Sequence, residues 1–230
     1  MIKKFLLLTL FSISFAYVES TIVVYLRGIY YPQGFEFPFK LISERHLIIE
    51  IGREFMTMVM LFTVALIAMG KEKGFKNFTS FFIYSFGIWD IFYYVWLKVF
   101  LNWPESFFTW DVLFLIPVVW TGPVLSPVLV SIAMITAALL WQSLKGEEAK
   151  RYPARGDYAA IIFFCVLILI TYMDKTGEFL KDFRLLKEGA EPCFVPKKYN
   201  WTLFMIAYIG GFIFILRPTI SRLIKILRHK

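Results

Sequence analysis

Five ionisable residues, Glu19, Glu50, Arg53, Glu54 and Asp90, interrupt runs that are otherwise apolar and long enough to cross a bilayer. A charge at membrane depth is costly, so by default such residues face a bundle interior or a water-filled cavity and mark a functional site. His46, Glu50 and Glu54 are spaced four apart, and Arg53 lies three beyond Glu50. On a helix that spacing puts all four on one face. Arg53 can pair with Glu50 on its own helix, or with Glu19 or Asp90 across a bundle. One arginine among four acids leaves carboxyls that need a proton or a neutral donor. Tyr93 and Tyr94, three and four residues after Asp90, are placed to donate.

Several chemistries fit this set. A hydrogen-bonded knot would fix helix packing, and protonatable acids facing a cavity would suit a proton or ion pathway. A carboxyl near an outer face could act as general acid or base. A metal site would draw on His46, Glu50, Glu54 and Glu19, although such sets usually carry more histidine. The sequence has only two histidines, one of them His229 in the tail, which excludes paired axial histidines for haem. It has no HExxH, GxSxG or P-loop pattern. Catalytic residues and cofactors therefore stay unassigned. Ser106, without a histidine nearby in sequence, reads as a cap or turn residue. Residues 102–111 (NWPESFFTWD) suit an aromatic belt followed by a helix start. They would also suit a lid over the charges, with Lys98, Glu105 and Asp111 lining its entrance. Met56, Met58 and Met60 read as core packing.

The elements that must hold these residues are transmembrane helices. The chain has 230 residues, 59% of them hydrophobic and 20% aromatic, with a mean hydropathy of +0.65. Such a composition excludes an ordinary soluble domain. The net charge of +8 resides mainly in short loops and the C-terminus, so it points to membrane orientation and anionic lipid rather than nucleic acid. Cys165 and Cys193 belong at different depths, and no disulfide is expected. Runs at 5–26, 47–69, 77–101, 112–141, 158–173 and 201–216 predict an all-α, polytopic helix bundle of about six spans in a single membrane domain. The fourth run would measure roughly 45 Å as one helix. Pro117, Pro123 and Pro127 interrupt it, predicting a kinked or broken span.

The first run also resembles a signal peptide, with Lys3 and Lys4 ahead of an apolar stretch and Ser14–Ala16 as a small-residue site. Its apolar character resumes through residues 21–26, which favours a retained span. With the N-terminus inside, fourteen Lys and Arg fall on inner segments. Three fall in the first outer loop, none in 102–111 and six in 174–200, so both termini are expected in the cytoplasm. Aromatic residues 28–44 and amphipathic residues 178–188 are expected in the interface, and 217–230 forms a basic tail. No internal repeat is evident. Counting rise per residue places Glu19 and Glu54 roughly 10 Å below the outer edge and Asp90 roughly 16 Å below it. Pro117 and Trp120 of the fourth run fall at about 8–12 Å.

Three stretches carry a resemblance: VESTIVVYLRGIYYPQGFEFP (18–38), REFMTMVML (53–61) and FGIWDIFYYVWLKVFLNWPESFFTWDVLFLIPVVWTGPVLSPV (86–128). They resemble a family of bacterial polytopic inner-membrane proteins without an assigned activity. That resemblance implies a bacterial inner membrane and carries over no catalytic residue. The expected role is a subunit of a membrane complex, with the bilayer and other membrane subunits as partners. An ion- or proton-coupled carrier of a small solute is the alternative, and an outer-face enzyme the second.

Overall fold

The computed structural model describes residues 1–35, 44–71, 73–178 and 198–228, which form seven helices and one two-stranded sheet. The helices are α1 (Ile2–Tyr30), α2 (Glu44–Met69), α3 (Phe75–Leu101), α4 (Leu125–Ser143), α5 (Gly146–Arg151), α6 (Arg155–Met173) and α7 (Trp201–Arg228). Five of them, α1, α2, α4, α6 and α7, are long and apolar enough to cross a membrane. At 27 residues α3 is as long as these, and tyrosines, tryptophans, Lys76, Asp90 and Lys98 interrupt its apolar run. The chain is a multi-pass, helical membrane protein.

Helix α3 is the axis of the N-terminal half. Leu8 and Phe15 of α1, and Leu61 and Ala65 of α2, meet Phe81 and Trp89 of α3 in two buried clusters. Helices α1 and α2 each pack mainly on α3 and touch each other little. Helix α4 runs antiparallel to α3, from Val124 beside Leu97 to Gln142, whose amide donates to Asn77 at 3.0 Å. Gly87 permits this approach, because a Cβ there would lie 2.8 Å from the Ser131 carbonyl oxygen. Helices α6 and α7 form a second pair, with Phe164 packed on Gly210 and Gly211, and α7 joins them to α4. Close contact through small residues is the usual means of packing helices in lipid, where no hydrophobic force acts between them.

The predicted fourth span is broken rather than kinked, and its first part is not helix. Residues 112–141 are not a kinked helix, for β1 (Trp110–Phe114) and β2 (Trp120–Pro123) form an antiparallel hairpin ahead of α4. Asp111 stands opposite Gly122, and Val112 opposite Thr121. Pro117 and Pro123 offer no N–H to a helix, while Val112, Val118, Val119 and Thr121 are β-branched and favour extended backbone. Pro127 falls in the first turn of α4, where no N–H is needed. The hairpin sits at the end of the bundle that carries the α1 C-terminus and the α2 N-terminus, with β2 against α4 and α6. We call this the hairpin end.

Two further boundaries differ. Helix α7 continues past residue 216 through Pro218 to Arg228, so most of the basic tail is helical. Residues 28–30, expected in an interfacial loop, are the last turn of α1. The rest of that segment from 36 to 43, the amphipathic stretch from 179 to 188, Cys193 and His229 lie outside the described residues.

Candidate functional site

The face of α2 that carries Glu50, Arg53, Glu54 and Thr57 turns toward α1 and the hairpin. Arg53 donates from Nε to Glu50 Oε2 at 2.9 Å and from Nη1 to Glu19 Oε2 of α1. Thr57 adds a hydroxyl to Glu19 Oε1 at 2.8 Å. One guanidinium thus spans two helices that otherwise barely meet. Glu54 bonds to the hairpin instead: its Oε2 accepts the Leu115 N–H at 2.8 Å. All three glutamates are buried.

Asp90 lines a cavity of about 50 Å³ with Glu19, Arg53 and Glu54, yet it does not pair with Arg53. It points toward α4, where the Ser131 hydroxyl donates to it at 2.8 Å. The expected help from Tyr94 goes elsewhere, because its hydroxyl donates to Asp111 at 3.3 Å. Tyr93 packs against Trp89 and Tyr94 and lines the cavity wall.

A second ion pair escaped the sequence reading, which placed Arg27 in an outer loop. Arg27 is buried, and its Nη2 lies 3.3 Å from Asp111 Oδ1 of β1. Its guanidinium stacks 3.7 Å from the Trp103 ring centroid and 4.3 Å from that of Phe35. The signal was present, since Glu19, Val23 and Arg27 repeat every four residues and so share one face of α1. A cavity of about 100 Å³ separates the two arginines, bounded by Tyr30, Glu50, Glu54 and Leu115.

The lid expectation for Lys98, Glu105 and Asp111 is divided by the structure. Asp111 is buried under Arg27, whereas Lys98 and Glu105 line a different cavity beside α4. Lys98 donates to the carbonyls of Asn102 at 3.1 Å and Pro104 at 2.9 Å. Ser106 closes a turn, its N–H donating to Thr109 Oγ1 and its hydroxyl accepting from the Phe108 N–H. His46 contacts the Tyr30 hydroxyl through Nδ1, tying the start of α2 to the end of α1. Among the described residues no three His, Cys, Asp or Glu are grouped to hold a metal ion.

The arrangement therefore comprises five acids, Glu19, Glu50, Glu54, Asp90 and Asp111, and two arginines, Arg27 and Arg53. Arg53 serves Glu19 and Glu50, Arg27 serves Asp111, and Glu54 and Asp90 are held by neutral donors. Beneath them, Phe15, Leu61 and Trp89 pack into a cluster toward the opposite end of the bundle. No family model, curated protein or solved structure matches the chain.

Proposed function

We propose that this protein is an integral subunit of a bacterial inner-membrane complex, with both termini cytoplasmic and the hairpin end outermost. In this reading the polar set is a fastener rather than a conduit. The observation that supports it is the Arg53 bridge. Helices α1 and α2 have little direct contact, and Arg53 with Thr57 joins them through Glu19. Cavities of about 50 and 100 Å³ hold a few waters at most, well below the several hundred ångströms cubed typical of a small-molecule site. Native mass spectrometry of the protein, extracted gently from its own membrane, tests this role. Other membrane proteins co-eluting at fixed stoichiometry support it; a lone chain or homo-oligomer overturns it.

One observation favours a second reading, a proton-coupled carrier. Glu54 and Asp90 face a shared cavity and have no ion-paired cation among the described residues, the placement of acids that bind and release protons in transporters. Glu54→Gln separates the two readings. A fastener tolerates it, because the amide oxygen still accepts the Leu115 N–H, while a carrier loses pH-dependent transport.

A further inference from the structure

The largest cavity described, about 440 Å³, belongs to neither reading. It lies between the last turns of α3 and the start of α4, on the opposite flank of α3 from α1. Its walls are apolar, formed by Ile91 and Val95 of α3 together with Val124 and Val128 at the start of α4. The loop after α3 roofs it with Pro104 and Phe107. Val95 in this wall is 41% exposed, so the cavity is open along the flank of α3 that hydrocarbon would cover.

The rim is charged, with both signs. Lys98 commits two of the three ammonium donors to the Asn102 and Pro104 carbonyls, leaving one to face outward. Glu105 is exposed beside it and has no cation within ion-pair distance among the described residues. The two side chains share a rim without pairing with each other. Phe107 and Phe108, 62% and 64% exposed, mark this level as the membrane interface, where aromatic side chains collect.

An apolar slot open to the bilayer, capped at headgroup level by a cation and an anion that form no ion pair among the described residues, is complementary to a zwitterionic lipid. We infer that this groove binds one aminophospholipid. An acyl chain lies along Val95 and Val128, the phosphate meets Lys98 and the headgroup ammonium meets Glu105. A lipid whose headgroup beyond the phosphate is uncharged would gain the first contact and lack the ion pair of the second.

The test equilibrates the full-length protein in mixed micelles holding equal amounts of phosphatidylethanolamine and phosphatidylglycerol, then counts retained lipid by native mass spectrometry. One phosphatidylethanolamine per chain is expected, favoured over phosphatidylglycerol by about threefold to fivefold, the ratio one exposed ion pair supplies. Glu105→Gln should equalise the two lipids, and Lys98→Gln should weaken retention of both. Val95→Trp should empty the groove. Val128→Phe fills it from α4 and serves if the first filling variant does not fold. Equal retention of the two lipids by the unaltered protein, or undiminished retention in a folded filling variant, overturns the inference.

Discussion

Replacing Arg53 with Met keeps most of the side-chain volume and removes the charge. Glu19 then keeps only the Thr57 hydroxyl, and Glu50 loses its Arg53 partner. Breaking a buried ion pair from one side costs about 3–5 kcal/mol, because a charge remains without its partner. The Arg53 side chain is 19% exposed, so water reaches the site and the lower figure, about 3 kcal/mol, is appropriate. For a chain of this size that corresponds to a fall in Tm of about 6–12 °C. The assay is thermal unfolding in nanodiscs, followed by tryptophan fluorescence. Two partner variants sharpen it. Glu50→Gln keeps an amide oxygen to accept from Arg53 Nε and leaves the Glu19 arm in place, so it should cost about 1 kcal/mol or less and shift Tm by about 4 °C or less. Glu19→Gln weakens the joint between helices and should cost more. In the double variant Arg53→Met with Glu19→Gln the losses should not add, leaving a coupling of about 1 kcal/mol. Were Glu50→Gln as damaging as Glu19→Gln, or Arg53→Met within 2 °C of the parent protein, the bridge would not be what joins α1 to α2.

Glu54→Gln should leave Tm nearly unchanged, whereas Glu54→Leu strands the Leu115 N–H and should cost about 1–3 kcal/mol in the same melt; equal effects would show that Glu54 does not hold the hairpin. Gly87→Ala would place a methyl 2.8 Å from the Ser131 carbonyl oxygen and 2.9 Å from Ile135 Cγ1. It should lower stability by about 1–3 kcal/mol, while Gly28→Ala, with open space around it, should not lower it by a comparable amount. Orientation is checked with Cys165 and Cys193 replaced by serine. Ser106→Cys should then react with an impermeant maleimide in intact cells from which the outer membrane has been stripped. Glu147→Cys should react only after lysis, and the reverse pattern would invert the proposed topology.

What could be read from the chain followed physical scale. Apolar runs near 20 residues have one dominant solution in lipid, so α1, α2, α6 and α7 were anticipated to within a few residues at most ends. The hairpin was not, because a short apolar run with prolines reads equally as a broken helix or as buried strands. That Asp90 would come near Glu19 and Glu54 was legible, and the three line one cavity; the direction in which it points was not. Counting residues put Asp90 near the level of Glu19 and Glu54. The side of α3 it occupies was set by Gly87, three residues earlier, which faces α4 and brings Ser131 within reach. Arg27 was missed because its acid, Asp111, is 84 residues away on a strand that periodicity did not reveal.

In the proposed topology the hairpin lies below the outer surface of the membrane, and it then explains why acids are tolerable there. Irregular backbone inside a membrane survives only where protein or water satisfies its polar groups. The two strands satisfy much of each other, and beyond them the Val124 and Leu125 N–H groups donate to the carbonyls of Thr109 and Phe107. The turn between the strands has no such partner strand, and side chains from the helices serve it. Glu54 of α2 accepts the Leu115 N–H on one side, and the Thr176 hydroxyl beyond α6 donates to the Val119 carbonyl on the other. Arg27 then secures β1 through Asp111. A carboxylate at Glu54 is therefore a backbone acceptor supplied where a helix could not continue. On this argument the polar residues and the proline-broken segment form one unit. Straightening 110–123 into helix would strand Glu54 and Asp111, and removing those acids would leave the hairpin without two of its ties to the bundle.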